Sequence, residues 1–121
     1  MNLNDIPLMI KGYADCALWT ATNELGEPLD AVYSVEHISR DSLDEMRTDC
    51  TEFCDANEKD ITNSKLSPEQ IGNDFWLTRN GHGTGFWDRG LGEIGKRLSE
   101  NAKTYGSSDL MVTNDDQLVV I

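Results

Sequence analysis

The chain has 121 residues, of which 38% are apolar, 22 are acidic and 10 are Lys or Arg, and its formal net charge is −12. This length suits a single domain with one core. The negative charge disfavours direct binding to nucleic acid phosphates and adsorption to an anionic membrane. No apolar run approaches the roughly 18 to 20 residues that span a bilayer, and the start of the chain lacks a secretory pattern. We therefore expect a cytoplasmic protein with reduced cysteines.

Hydrophobic periodicity predicts a mainly helical α+β domain that ends in a β-hairpin. Ser39 is suited to cap the second helix, and Ser67 followed by Pro68 is suited to begin the third. The hairpin is predicted within 109–121, where two short apolar runs flank a polar turn. The predicted helices cover 6–22, 39–56, 68–79 and 91–105, and a loop is predicted over 57–67.

Glycines interrupt two of these helices. Gly12 weakens the prediction for the first helix, and Gly92 and Gly95 lie in the first turns of the fourth. Each helical glycine costs about 1 kcal/mol relative to alanine. That cost indicates the close approach of another backbone or of a ligand.

The segment 74–90 is the most distinctive part of the chain, and reads D-F-W-L-T-R-N-G-H-G-T-G-F-W-D-R-G. An aromatic pair lies on each side of a glycine-rich turn that carries His82. Large aromatic side chains stabilise a fold when they are buried. We expect Trp76 and Trp87 to be largely buried, and replacement of either by alanine to cost about 3 to 5 kcal/mol.

This segment, followed by Leu91-Gly92 and a helix that ends at Tyr105-Gly106, resembles small accessory proteins of tailed phages and prophages. A weaker likeness extends to 16–19 (C-A-L-W) and 26–30 (G-E-P-L-D). The resemblance implies an origin in a phage genome and assigns no role to any residue. Phage accessory proteins of this size are often inhibitors directed at the host, which is an argument by association.

The turn Gly81–Gly85 is one candidate binding site. The glycines and neighbouring arginines could hold a phosphate on backbone N–H groups, although the turn lacks the phosphate-loop and dinucleotide patterns. Alternatively, the glycines serve the backbone and His82 bonds locally, for instance to Asp74 or Asp88. No nucleophile lies at a recognisable spacing from the histidine, so the sequence favours a protein that is not an enzyme. The candidate residues of this site are Arg79, Asn80, His82, Asp88 and Arg89.

Two cysteines suggest a metal site only weakly. Cys50 and Cys54 lie one helical turn apart, and His37 and His82 could complete a tetrahedral zinc site. Both cysteines also fit the apolar face of the second helix, where buried thiols fill core space. We favour the latter interpretation and expect neither metal nor cofactor.

The second helix carries a predicted acidic face that could imitate the charge of a nucleic acid backbone. The alternative is an ordinary solvated surface. Its residues are Asp41, Asp44, Glu45, Asp49, Glu52 and Asp55. The sequence thus favours a non-enzymatic inhibitor, acting in the host cytoplasm, of a host protein that handles nucleic acid, such as a restriction, CRISPR or repair enzyme. A small ligand-binding or catalytic domain centred on the His82 turn and a phage structural or assembly component are the two alternatives.

Overall fold

The computed structural model describes residues 5–121 as a mainly helical α+β fold with an antiparallel C-terminal hairpin, as the sequence predicts. Short 3₁₀ turns lie at Leu29–Ala31, Val35–His37 and Phe86–Asp88. The helices are α1 (Ile6–Thr20), α2 (Arg40–Ala56), α3 (Glu58–Ser64), α4 (Pro68–Arg79) and α5 (Glu93–Lys103), and the strands are β1 (Leu110–Val112) and β2 (Leu118–Val120). Within residues 5–121, no helix combines the length and the apolar character needed to cross a bilayer.

Side-chain caps begin α2 and α4 where the sequence predicts them. The Ser39 hydroxyl accepts a hydrogen bond from the backbone N–H of Ser42, and the Ser67 hydroxyl accepts one from that of Gln70. Each cap satisfies one of the N–H groups that a helix start leaves without an intrahelical partner. Pro68 occupies the first turn of α4, where its missing N–H costs nothing.

Helices α1 and α4 pack backbone against backbone at two glycines. A Cβ on Gly12 would overlap the backbone of Glu69, and a Cβ on Gly72 would overlap the carbonyl of Met9. The glycine that weakens the helix prediction for α1 is therefore what allows α4 to cross it. Gly95 likewise meets a backbone, since a Cβ there would lie 2.8 Å from the carbonyl oxygen of Phe86.

The core is built around a cluster of aromatic rings. Phe53 of α2 stacks on Phe75 of α4, with 4.2 Å between the ring centroids. Tyr13 of α1 contacts Phe75 and meets the edge of Trp76 at 5.2 Å. Phe86, which follows the glycine-rich turn, also stacks on Phe53, with 5.7 Å between the ring centroids. Three of the four aromatic residues of the 74–90 segment, Phe75, Trp76 and Phe86, thus lie in the core.

The prediction of a loop over 57–67 is wrong, because α3 occupies most of this segment. Only Ile61 of this helix is a buried apolar residue, which is why the apolar pattern is weak. Tertiary contacts replace that pattern: the Asp60 carboxylate accepts two hydrogen bonds from Arg97 of α5, each 2.8 Å long. The helix ends at Ser64, and Lys65, which follows it, has a left-handed φ of 59°.

The hairpin joins the domain through one edge. Leu110 pairs with Val120, and β2 then meets the start of α2. The backbone N–H of Ser39 donates to the Leu118 carbonyl, and the N–H of Val120 donates to the Ser42 hydroxyl. The outer edge of β2 is therefore covered, whereas β1 forms the other side of the hairpin.

Candidate functional site

The glycine-rich turn is held by its own backbone and by α4. The hydroxyl of Thr78 accepts a hydrogen bond from the N–H of Phe86, and a Cβ on Gly85 would overlap that hydroxyl. The N–H groups of Gly81 and His82 donate to carbonyls at the end of α4. Because these N–H groups already have partners within the fold, they are not available to cradle a phosphate.

Asp74 and Arg89 form an ion pair that ties the end of the motif to α4. The Asp74 side chain is fully buried and accepts bonds from Nε and Nη2 of Arg89, at 3.1 and 2.8 Å. Gln70 donates a further bond, at 2.9 Å, to Asp74. A buried carboxylate needs such partners, since an unpaired buried charge costs several kcal/mol. Arg89 therefore neutralises Asp74, and this pair explains the Asp and the Arg at the two ends of the motif.

The side chain of Arg79 lies inside the fold. Its side chain is 7% exposed and donates to the Tyr13 hydroxyl and to the Asp49 carboxylate, at 2.8 and 2.9 Å. It also donates to the carbonyls of Tyr105 and Gly106 at the end of α5. Its guanidinium lies over the Tyr105 ring, 5.6 Å from the centroid. A single arginine thereby connects α1, α2 and the turn that follows α5.

Asn80 and Asp88 also bond within the protein. The Asn80 amide donates to the Trp76 carbonyl, and its oxygen accepts from the N–H of Ser108. The N–H of Gly85 and the hydroxyl of Thr84 donate to the Asp88 carboxylate, and these bonds hold the pKa of Asp88 below its ordinary value. Both side chains therefore fix the turn.

His82 is the exception among the five candidates of the turn, because its exposed side chain forms no hydrogen bond or ion pair within residues 5–121. It borders a shallow cavity of about 480 Å³. The indole N–H of Trp76, which lies in the wall, donates to the Thr20 hydroxyl at 2.8 Å. The cavity is lined by Thr20, Trp76, Asn80, His82, Ser107, Ser108, Asp109 and Ile121.

The expectation that both motif tryptophans are buried is half wrong. Trp76 is 2% exposed, as predicted, but Trp87 is 54% exposed. Trp87 follows Phe86 in a 3₁₀ turn, where neighbouring side chains point about 120° apart. Phe86 takes the inward position and is fully buried, so Trp87 faces outwards.

The four residues of the weak metal hypothesis are not assembled into a site. Within residues 5–121, no group of three or more His, Cys, Asp or Glu side chains is arranged to hold a metal ion. Cys50 and Cys54 are buried on the inner face of α2, where the Cys54 thiol lies 3.0 Å from the Met9 sulfur. The exposed side chain of His37 instead accepts a hydrogen bond from the N–H of Ser34.

The acidic face of α2 is the second candidate site, and five of its six predicted residues are exposed. Asp49 is the sixth, and its carboxylate accepts the bond from Arg79. At 100° per residue, the other five lie within an arc of about 100° and along about 21 Å of the helix axis. None of them forms a hydrogen bond through its side chain, or an ion pair, within the part of the chain that the structure describes. These five residues, which we call the acidic stripe, are Asp41, Asp44, Glu45, Glu52 and Asp55.

A third feature is not among the sequence predictions. A groove of about 650 Å³ lies between β1 and the segment 22–33. Its walls come from parts of the chain that are some eighty residues apart, so no local pattern announces it. An apolar hairpin strand at an edge is the only signal that could have suggested it.

Comparisons of the chain with protein-family models, with curated proteins and with solved structures gave no match. The function must therefore be inferred from the sites themselves.

Proposed function

We propose that this protein is a non-enzymatic inhibitor that binds the nucleic-acid-binding surface of another protein through the acidic stripe. The observation that carries this proposal is the set of five exposed carboxylates on one face of α2. An enzymatic role has less support, since four of the five candidate residues of the glycine-rich turn are bonded within the fold.

The spacing of the stripe supports imitation of a nucleic acid strand. Five charges along about 21 Å of helix axis correspond to one per about 5 Å. A single strand of duplex DNA carries one phosphate per about 3.4 Å of axis. The stripe therefore presents a row of negative charge of comparable density, on a helix that is already folded, to a basic groove of a partner protein.

The surroundings of the stripe support the same proposal. The net charge of −12 favours association with cationic surfaces and opposes binding to nucleic acid itself. Arg40 and Arg47 lie on one flank of the helix and outside the arc of the stripe. The partner that fits is a host protein with a basic nucleic-acid-binding surface, in keeping with the resemblance to phage accessory proteins.

The proposal is tested by capture on immobilised protein with two matched variants. The first variant carries Glu45→Gln, Glu52→Gln and Asp55→Asn in the stripe. The second carries Glu27→Gln, Glu69→Gln and Glu100→Gln at exposed positions elsewhere. Each variant loses three carboxylates, so both change the net charge from −12 to −9.

We expect the wild type and the second variant to retain the same bacterial protein at low salt and to release it as salt rises, because exposed charge pairs are screened. The stripe variant should retain little of it. Equal retention by the two variants would show that only total charge matters, and retention that is independent of salt would contradict an electrostatic interface.

The cavity beside His82 supports a second candidate function, the binding of a small ligand. The exposed imidazole and the nearby hydroxyls supply polar groups at the mouth of a concave surface. His82→Ala should then abolish ligand binding and leave the melting temperature unchanged. A calorimetric titration with nucleotides that gives no heat at millimolar concentration would remove nucleotides from consideration.

A further inference from the structure

The outer edge of β1 presents main-chain groups that have no partner in the fold. Asp109 and Ile121 exchange both of their backbone hydrogen bonds, at 3.2 and 3.0 Å. Bonded and non-bonded pairs alternate along an antiparallel ladder, so Leu110 and Val112 turn their backbone groups away from β2. The N–H of Leu110 donates to the Asp109 side chain. Within residues 5–121, nothing bonds to the carbonyl of Leu110 or to the N–H and carbonyl of Val112.

The opposite wall of the groove offers a second free edge. Thr22 pairs with Pro28 in an isolated antiparallel bridge, and the hydrogen bonds of this bridge lie on either side of the pair. The same alternation turns the N–H and the carbonyl of Thr22 away from Pro28. In the described part of the chain neither group has a hydrogen-bond partner. Thr22 and β1 both line the groove of about 650 Å³, so this cleft has unpaired backbone on each side.

The side chains of the groove are apolar and acidic. Four large apolar residues of its walls are exposed: Leu25 (83%), Val32 (64%), Met111 (49%) and Ile121 (64%). Among the residues that the structure describes, its charged lining residues are Glu24 and Asp109, and none is Lys or Arg. The Tyr33 hydroxyl on the same wall is bonded to a further acid, Asp116. An occupant must therefore supply apolar surface together with positive charge.

We propose that this groove binds an extended segment of another polypeptide in which apolar residues alternate with Lys or Arg. Such a segment would add a strand to β1 and reach the Thr22 edge, so that main-chain bonds provide affinity and alternate side chains provide specificity. A second copy of this chain fits poorly, since each copy carries a charge of −12 and acidic groove walls. At about 3.4 Å per residue, the edge from Asp109 to Thr113 accommodates about five residues.

This site is independent of the acidic stripe. The start of α2 covers the edge of β2, whereas the groove opens at the edge of β1. Failure of one proposal would therefore leave the other unaffected.

The test titrates the full chain with an acetylated heptapeptide, Val-Lys-Val-Lys-Val-Lys-Val. Binding is observed through the backbone amide NMR signals of the protein. We expect saturable binding, with the largest shifts at Thr22, Val112 and their neighbours, and slowed exchange of the Val112 amide proton. A peptide with N-methyl groups on alternate residues keeps the side chains and charge but loses half of its N–H donors. It should bind at least tenfold more weakly, and a peptide with glutamate in place of lysine should not bind.

Two sets of variants locate the site. Val112→Pro removes an outward N–H and no β1–β2 hydrogen bond, a position at which an edge strand tolerates proline. It should weaken binding at least tenfold. Leu25→Lys and Leu25→Glu both remove an exposed leucine and cannot disturb the core. They differ in the sign of the new charge, so the lysine peptide should bind the Leu25→Lys protein more weakly than the Leu25→Glu protein.

Three results would overturn the proposal. One is equal affinity for the N-methylated peptide, and another is a set of shifts confined to the acidic stripe. The third is a dimer in solution whose formation is abolished by Val112→Pro, which would make a second copy the occupant.

Discussion

The segment 74–90 and the outer face of α2 both carry many charged residues, yet the fold uses them in opposite ways. In the segment, Asp74, Arg79 and Arg89 are paired within the protein. On α2, the five carboxylates of the acidic stripe have no internal partner in residues 5–121. A distinctive sequence can thus mark the residues that build a fold, whereas a plain run of acids can form the surface that remains free to bind.

Truncation of the two motif tryptophans tests the first half of this comparison and should give the largest effect. Trp76→Ala removes a buried ring that donates to Thr20, and should lower the free energy of unfolding by about 3 to 5 kcal/mol. Trp87→Ala removes a ring that is more than half exposed, and should cost less than about 1 kcal/mol. Urea denaturation measures both. Similar losses for the two variants would show that Trp87 is packed in solution.

Removal of Arg79 should have the next largest effect. Arg79→Met keeps an unbranched apolar stem but loses four hydrogen bonds and leaves two backbone carbonyls without this donor. We expect a loss of roughly 3 kcal/mol in guanidinium denaturation. Arg47→Met on the exposed flank of α2 is the control, and should change stability by less than about 0.5 kcal/mol. A stable Arg79→Met protein that fails to bind a partner would place Arg79 in a binding site instead.

The buried thiols of α1 and α2 should make the protein sensitive to alkali. Burial raises the pKa of Cys16 and of Cys54 to about 12, from 9.0, and raises that of Cys50 further. The unfolded thiols ionise near pH 9, whereas the folded ones stay protonated. The contribution of the buried thiols to the free energy of unfolding is therefore fully present below pH 9 and is lost as the pH rises towards 12.

Between pH 9 and 10 the loss should be about 1 kcal/mol for each thiol. Thermal unfolding across this pH range measures the loss. The stability of the Cys54→Ala variant should fall less steeply with pH than that of the wild type. Identical slopes for the wild type and the variant would contradict burial of the Cys54 thiol.

Neutralisation of the acidic stripe should have the smallest effect on stability. Glu45→Gln, Glu52→Gln and Asp55→Asn break no internal bond and relieve repulsion between like charges on one helix face. The melting temperature should stay the same or rise slightly, corresponding to less than about 1 kcal/mol. Differential scanning calorimetry at low salt is the measurement. A clear loss of stability would mean that the stripe has partners within the fold.

Much of the architecture follows from local sequence signals, since caps, helix periodicity and the paired apolar runs near the end act over a few residues. Three features do not. Gly12 is unfavourable for a helix but allows α4 to cross α1, α3 contacts α5 through an ion pair that no local pattern predicts, and the direction of Trp87 is decided by Phe86 taking the inward place. Each of these depends on a neighbour distant in sequence or on a choice between adjacent side chains.

The candidate sites show the same division. The acidic stripe could be proposed from sequence because helix geometry alone places its residues on one face. The internal roles of Arg79 and Arg89 could not, because their partners Tyr13, Asp49 and Asp74 are brought to them by packing of α1, α2 and α4.

The most direct test of the central claim is competition between this protein and duplex DNA for a partner captured on the wild type. If the acidic stripe takes the place of a nucleic acid strand, increasing DNA should release the partner, and no complex of all three should form at any ratio. The stripe variant should fail to displace DNA, while the variant altered at Glu27, Glu69 and Glu100 should displace it as the wild type does. A stable ternary complex of protein, partner and DNA would contradict the account.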